Sequence, residues 1–151
     1  MSERILVLYV IDAGVVVKWF IPEEDSTIAH QLLTRYLQGL DTPIAPDLLI
    51  SECGNVFWRR QRQGDITTEE AADSMADLVT LNITLVLASD LVQNALQLAM
   101  QHQRTVYDSL YLALSEYRNC PLITADERFF NAVSSQFPNL QLLRNWQVPT
   151  E

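Results

Sequence analysis

Positive charge is scarce in this 151-residue chain, which has ten Lys and Arg residues against nineteen Asp and Glu and a formal net charge of −9. Lys18 is the only lysine. This balance disfavours non-specific binding to nucleic acid, whose phosphates attract basic proteins. It does not exclude an enzyme that acts on nucleic acid, because acids gathered in one metal site are neutralised locally. The positions of the acids therefore carry more information than their total.

Cysteines and long apolar runs are also few. Cys53 and Cys120 are far apart in sequence, without C-x-x-C spacing or nearby histidines, which excludes a small disulfide scaffold and argues against a zinc or redox site. The apolar run at residues 5–11 is too short to cross a membrane, and no small-residue cleavage site follows it. We therefore expect a cytoplasmic protein that does not associate with membranes.

The chain can nevertheless build a sizeable core, because 48% of its residues are apolar and its length is that of an ordinary domain. Apolar segments that predict strands alternate with segments that predict helices, and this alternation is typical of parallel pairing with right-handed crossovers. We predict an α/β fold: one domain over residues 1–151, a three-layer α/β/α sandwich whose central parallel sheet has four to five strands. The predicted strands are residues 5–11, 43–45, 83–87, 122–123 and 140–143.

Several helix ends are also marked in the sequence. Asp47 is placed to cap a helix that runs through the arginines near residue 60 and ends at Gly64. Thr67 and Glu70 have the spacing of a capping box. After Ser89-Asp90, a helix carries an apolar stripe of Val92, Ala95, Leu96 and Ala99, and a helix from about Val106 to Tyr117 is apolar almost all round. The helical pair at about 46–79 is long enough to form a partly separate arm.

Four carboxylates fall in apolar surroundings. Asp12 ends the first predicted strand, and Asp126 lies just beyond the fourth. In a parallel sheet the carboxyl ends of the strands open onto the crevice where ligands bind. Glu52 lies inside a helix among apolar residues at helical spacing, and Asp108 opens the apolar helix that starts near Val106. The predicted topology can bring these acids together.

Converging carboxylates require a counter-charge, since two of them about 4 Å apart repel by about 4 kcal/mol at an effective dielectric near 20. The chain has too few cations to supply one, whereas a divalent cation would. Oxygen ligands without His or Cys favour Mg²⁺ or Mn²⁺ over zinc. Each acid alone has an ordinary explanation, as a helix cap, a first-turn residue or an exposed helix residue. The four together favour a metal site.

Other polar residues near these acids have two interpretations each. Thr124, two residues before Asp126, is placed to orient a metal-bound water, or is simply a β-branched strand residue. Arg59, Arg60 and Arg62 could track phosphates at the mouth of the crevice, or form a solvated helix end that complements the helix dipole.

Four segments carry a resemblance to a known family. They occur in one order and are residues 10–23 with Asp12, residues 46–58 with Glu52, residues 105–114 with Asp108, and residues 122–129 with Asp126. Over nearly the whole chain they resemble the PIN-domain family, in particular the VapC-like ribonuclease toxins of type II toxin–antitoxin pairs. A single strand that ends in Asp would be weak evidence, whereas the four segments in order are strong.

The resemblance implies a function and a set of partners. It implies endonucleolytic hydrolysis of RNA, in which metal lowers the pKa of a bound water and stabilises charge on the scissile phosphate. It further implies a homodimer and a VapB-like antitoxin. By this resemblance one or two Mg²⁺ or Mn²⁺ ions are ligated by Asp12, Glu52, Asp108 and Asp126, with Thr124 in support. Gly14 departs from the family pattern, because relatives often carry Ser or Thr there.

Three alternatives compete with this interpretation. A phosphoacceptor receiver domain has adjacent acids after its first strand and a late lysine, and an aspartate-nucleophile phosphatase has a second Asp two residues after the first. Here Gly14 occupies that position and the only lysine is Lys18, so both fit poorly. The main alternative is a non-catalytic PIN-like protein-interaction module. Such a module is expected to have lost one or more of the acids, and all four are present.

Overall fold

The computed structural model of the protein describes residues 7–150 and is built around a five-stranded sheet with strand order β3-β2-β1-β4-β5. All four strand pairings are parallel, which confirms the predicted α/β architecture. Ile5 and Leu6, which the sequence assigned to the first strand, lie outside the described residues. The elements are β1 (Val7–Ile11), α1 (Ala13–Val17), α2 (Ser26–Leu37), β2 (Asp41–Pro46), α3 (Leu48–Arg62), α4 (Thr68–Thr80), β3 (Thr84–Val86), α5 (Val92–His102), α6 (Val106–Arg118), β4 (Leu122–Thr124), α7 (Glu127–Val133) and β5 (Leu140–Leu142).

β1 lies at the centre of the sheet, between β2 and β4. Its successive residues Tyr9, Val10 and Ile11 are all buried, and because side chains alternate between the two faces, both faces are covered. This explains why the strand reads as a continuous apolar run. Ile11 pairs with Ile123 of β4, so the residues that follow the two strands emerge side by side at the carboxyl edge of the sheet.

The helix α6 packs against β1, β2 and β4 and has seven consecutive buried residues, 109–115, as its apolar sequence predicted. Thr105 caps its first turn, where its hydroxyl accepts a hydrogen bond from the Asp108 backbone N–H at 3.0 Å. Asp108 is therefore held in the first turn of a helix that is anchored in the core.

Two predicted helix features are wrong in detail. Asp47 does not cap α3 with its side chain, because the residue is itself helical (φ −65°) and its Oδ1 accepts a hydrogen bond from Ala88 N–H at 3.1 Å. On α5 the predicted stripe is only half buried: Ala95 and Ala99 pack inward as expected, together with Leu98, whereas Val92 and Leu96 are 42% and 48% exposed. A 3₁₀ turn at Ala88–Asp90 precedes α5, which begins at Val92.

The helix pair α3 and α4 follows the predicted boundaries. Both hydrogen bonds of the capping box between Thr67 and Glu70 are present at 3.0 Å, which confirms that signal. α4 packs on α3, and α3 contacts α1 and β2. The idea that residues 46–79 act as a separate arm stays a prediction. Among the helices of residues 7–150, none combines the length and the apolar character that a membrane crossing requires.

A bidentate ion pair fixes the start of β2 against the end of α2. Arg35 Nε and Nη2 donate to the two carboxylate oxygens of Asp41 at 2.7 and 2.9 Å, and the Asp41 side chain is only 1% exposed. The pair raises the pKa of Arg35, chiefly through this hydrogen bonding. Breaking a buried pair is costly because one charge stays buried without a partner.

We expect Arg35→Met to lower the free energy of unfolding by about 3 kcal/mol, because Asp41 loses its only cation within residues 7–150. The double variant Arg35→Met, Asp41→Leu should recover much of this loss, since no uncompensated charge remains. Urea unfolding at neutral pH measures both. A single variant as stable as the parent chain would contradict this account.

Candidate active site

The four predicted acids come together in one cavity of about 170 Å³ at the carboxyl edge of the sheet. Asp12 follows β1 and Asp126 follows β4, while Glu52 and Asp108 reach the cavity from α3 and α6. The lining residues are Asp12, Ala13, Gly14, Glu52, Asp108, Tyr111, Asp126 and Phe129. Side chains from four separated parts of the sequence thus share a single space.

Asp12 is the most deeply placed of the four. Its Oδ1 caps α1 by accepting a hydrogen bond from Val15 N–H at 3.0 Å, and its Oδ2 accepts one from the Thr124 hydroxyl. Burial raises the pKa of Asp12 to about 6, and the negative charge of Asp126 adds to the rise, although the hydrogen bonds from Thr124 and Val15 oppose it. A carboxylate here is costly until a cation reaches it.

Thr124 links the two strand-end acids and is fully buried. Its hydroxyl donates to Asp12 and accepts from the Asp126 backbone N–H at 3.0 Å. Asp126 in turn caps α7, since its Oδ1 accepts from Phe129 N–H at 3.0 Å. Asp126 is exposed, unlike Asp12, so the apolar surroundings expected for all four acids do not extend to it. Thr124 is not among the cavity-lining residues, and its predicted role in orienting a water stays a prediction.

Glu52 is positioned by a residue that the sequence analysis missed. The Tyr111 hydroxyl, on α6, donates a hydrogen bond of 2.6 Å to Glu52 Oε1 on α3. Burial raises the pKa of Glu52 and the charge of Asp108 raises it further, while the hydrogen bond from Tyr111 lowers it. A signal existed, because Tyr111 lies three residues after Asp108 and therefore on the same face of α6.

Asp108 has the only cationic partner found among the four acids within residues 7–150. Arg104 Nη2 lies 3.4 Å from Asp108 Oδ2, and the Asp108 side chain is 40% exposed. The pKa of Asp108 is raised, first by burial and then by the charge of Asp126, against the lowering effect of Arg104. One weak ion pair therefore accompanies four acids.

The donor chemistry of the cavity fits a divalent cation. All four side chains offer carboxylate oxygens, and three of them have a pKa raised by burial and by their neighbours, as expected where a counter-charge is missing. Within residues 7–150, however, no three acids, His or Cys are grouped closely enough to form a coordination shell. Glu52 is turned towards Tyr111 and Asp108 towards Arg104. A shared ion would therefore require some of these side chains to rotate.

Two of the three arginines near the end of α3 contact other side chains of the protein. Arg60 pairs with Glu23 and Asp65, each at 2.8 Å, and Arg62 stacks on the Trp58 ring with 5.1 Å between its Cζ and the ring centroid. These contacts favour the structural interpretation for Arg60 and Arg62 over a phosphate track.

Gly14 lines the cavity without any steric need for glycine. A Cβ placed there would lie 3.5 Å from Ala125 Cβ and 3.5 Å from Asp12 Oδ1, which is ordinary van der Waals contact. A side chain at this position would therefore begin beside the Asp12 carboxylate.

Comparisons with known proteins show which family and fold this chain resembles. A family profile described as PIN domain matches residues 9–134. The chain is 31% identical over 133 residues to "Ribonuclease VapC3" of Pyrobaculum aerophilum, covering 87% of this chain and 95% of that protein.

Solved structures show the same fold. The crystal structure of PAE2754 from Pyrobaculum aerophilum superposes with a TM-score of 0.65 at 18% identity, covering 93% of each chain. A toxin–antitoxin complex from Klebsiella pneumoniae gives 0.58 at 11% identity and covers 93% of this chain and 99% of that one. VapBC2 from Rickettsia felis, bound to a DNA fragment from its promoter, gives 0.57 at 12% identity and covers 90% and 97%.

We expect Thr124→Val to lower the free energy of unfolding by about 1 kcal/mol, because the Asp126 backbone N–H loses its acceptor in a partly buried hydrogen bond. The pKa of Asp12 should rise further, since the Thr124 hydrogen bond lowers it. Thr124→Ser keeps the hydroxyl and is the matched control. Urea unfolding and NMR titration of the Asp12 carboxyl measure the two effects. If the Val and Ser variants titrate alike, the proposed role of the hydroxyl is wrong.

Proposed function

The chain belongs to the PIN-domain family, and on that basis we propose that it is a metal-dependent endoribonuclease, the toxin of a type II toxin–antitoxin pair. One observation carries the proposal: four carboxylates from four separate segments line a single cavity. Burial and mutual repulsion raise the pKa of three of them, so the arrangement calls for a cation.

The similarity to a protein named Ribonuclease VapC3 supports this choice of reaction, because it extends over most of both chains. The main alternative, a non-catalytic interaction module, has no need to keep the acids. Here Asp12 and Asp126 are each fixed by a helix cap and linked through Thr124, an arrangement that holds two carboxylates on one side of the cavity. The preserved site favours a nuclease over the module.

In this mechanism Asp12, Glu52, Asp108 and Asp126 would hold Mg²⁺ or Mn²⁺. When bound, the ion lowers the pKa of a water and neutralises charge on the scissile phosphate. Thr124 orients Asp12 through a hydrogen bond, and the hydrogen bond from Tyr111 favours the ionised form of Glu52. Phe129 and Ala13 provide apolar walls beside the acids, which strengthens electrostatic interactions within the cavity.

We further propose that an antitoxin binds this chain with a basic, partly apolar segment. A cleft of about 330 Å³ lies between α3 and α4, and its lining includes Phe57, Met75 and Trp58, which is 53% exposed. The net charge of −9 attracts a basic partner. Two structural neighbours are themselves described as a toxin–antitoxin complex and as VapBC2, which is in keeping with such a partner.

A homodimer is proposed through α5. Val92, Leu96 and Met100 form an outward stripe at helical spacing and are 42%, 48% and 67% exposed. The sequence has no charged residue between Asp90 and Arg104, so two copies of an acidic chain could meet here with little repulsion. An exposed apolar stripe of this kind is typical of an interface.

We expect Asp12→Asn and Asp126→Asn each to abolish metal-dependent RNA cleavage while keeping the fold. Asn caps helices about as well as Asp, so α1 and α7 remain intact while the metal ligand is lost. Asp47→Asn is the matched control, because Asp47 follows β2 at the same edge of the sheet but does not line the cavity. The effect is measured as cleavage of single-stranded RNA by protein that is free of contaminating nucleases. Undiminished cleavage in both variants would refute the assignment.

Metal binding should weaken as the pH falls. With the Asp12 pKa at about 6, only about a tenth of this group is ionised at pH 5, so Mn²⁺ affinity should be about tenfold lower there than at neutral pH. In the metal-free chain, ionisation of Asp12 destabilises the fold. Because its pKa in the folded state lies above the usual 3.8, the free energy of unfolding falls as the pH rises from about 4 to 6.

Thermal melts at pH 5 and pH 7, with and without millimolar Mn²⁺, test this expectation. The metal-induced rise in Tm should be larger at pH 7, since a ligand that binds only the folded state stabilises it in proportion to its affinity. Asp12→Asn should lose most of the rise at either pH. A Mn²⁺-induced rise in the parent chain that is equal at the two pH values would contradict the role of Asp12.

A further inference from the structure

Arg104, in the turn between α5 and α6, lies beside two residues that line the acidic cavity, Asp108 and Phe129. The preceding residue, Gln103, adopts a left-handed conformation (φ 54°), and Arg104 N–H donates to Ala99 O at 3.2 Å. This turn directs the side chain towards the first turn of α6. The guanidinium Cζ lies 5.4 Å from the centroid of the Phe129 ring, and Phe129 is one of the residues that line the cavity.

The hydrogen-bonding capacity of this guanidinium is mostly unused. Its one hydrogen bond within residues 7–150 is the long contact to Asp108 at 3.4 Å, and its Nε–H is buried without any partner there. An arginine carries five N–H donors in a planar fork. Partly exposed ion pairs contribute little to stability, so the contact with Asp108 can be exchanged for a stronger one.

We infer that Arg104 is a substrate-binding residue that contacts a phosphate group of the RNA, and that its contact with Asp108 is the position it leaves when substrate binds. The inference rests on the proposed ribonuclease function. A phosphate offers two oxygens that match the guanidinium fork, and this contact is stronger than the existing pair. The Phe129 ring packs against the guanidinium, and the Arg104 side chain is partly exposed beside it.

The position of Arg104 beside Asp108 predicts opposite effects of this residue on RNA binding and on Mn²⁺ binding. A positive charge beside Asp108 attracts phosphate but competes with a divalent cation for the carboxylate. Removing that charge should therefore weaken RNA binding and strengthen Mn²⁺ binding. A residue that merely connects two parts of the fold would affect stability and neither of these affinities.

The test compares Arg104→Gln with Arg118→Gln in the cleavage-deficient Asp12→Asn background. Arg118 ends α6, roughly 20 Å along the helix from Arg104, and is exposed, so its replacement changes the net charge equally. Fluorescence anisotropy with a labelled single-stranded RNA of mixed sequence gives Kd over a series of salt concentrations. We expect Arg104→Gln to raise Kd about tenfold and to reduce the salt slope by about 0.7, the value for one lost phosphate contact on a single strand.

The controls separate this inference from the proposed function. Arg118→Gln should leave the slope unchanged, and Arg104→Lys, which keeps the charge without the fork, should restore the slope but not the full affinity. If the Asp12→Asn parent binds RNA and adding Arg104→Gln leaves the salt dependence of Kd unchanged, the inference is overturned while the ribonuclease proposal stands. RNA binding absent from the parent would overturn both.

A second measurement tests the contact with Asp108. In the chain with Asp12 intact, Arg104→Gln should show a larger Mn²⁺-induced rise in Tm than the parent, whereas Arg118→Gln should match the parent. A rise in Tm that is no larger in Arg104→Gln would overturn the claim that Arg104 and the metal compete for Asp108.

Discussion

The parallel pairing of β1 with β4 determines where the acidic cavity forms. Because Ile11 lies opposite Ile123, the chain leaves both strands at the same edge, and the Thr124 hydroxyl can bond Asp12 while accepting from the Asp126 backbone. Each of these acids also caps the helix that follows it, so the same carboxylate that would bind a ligand stabilises the local fold. The residues that form the cavity therefore also form the connections from β1 to α1 and from β4 to α7.

Electrostatics sets the second constraint. The fold brings like charges together and partly buries them, so the pKa of Asp12, Glu52 and Asp108 is raised, in each case mainly by burial. Hydrogen bonds from Thr124 and Tyr111 offset this cost for the ionised forms, and Arg104 supplies one weak ion pair. The chain's lone lysine, Lys18, pairs with Glu23 instead. A divalent cation would neutralise the remaining excess of negative charge. Binding of the proposed metal ion would therefore also stabilise this region of the fold.

The sequence allowed the sheet, its parallel pairing and the grouping of the four acids to be predicted, because a continuous apolar strand and acids at strand ends are local patterns with direct structural meaning. The predictions failed where a contact with a residue distant in the sequence determined the structure. Asp47 bonds Ala88 instead of capping α3, and α5 turns Leu96 outward because α6 packs on its other side. Tyr111 was missed because its hydrogen-bond partner, Glu52, lies on another helix. The spacing of Tyr111 from Asp108 places it on the same face of α6 but does not identify that partner.

The acids differ in burial, since Asp12 is the more buried and Asp126 is exposed to solvent. In the proposed metal site, a hydrated ion arriving from solvent would reach the exposed Asp126 before the more buried Asp12, and would exchange its water molecules for carboxylate oxygens in that order. Its release would then be slowed by Asp12. Ions that shed water reluctantly would load slowly, so the time needed to charge the site, rather than affinity alone, would distinguish one dication from another.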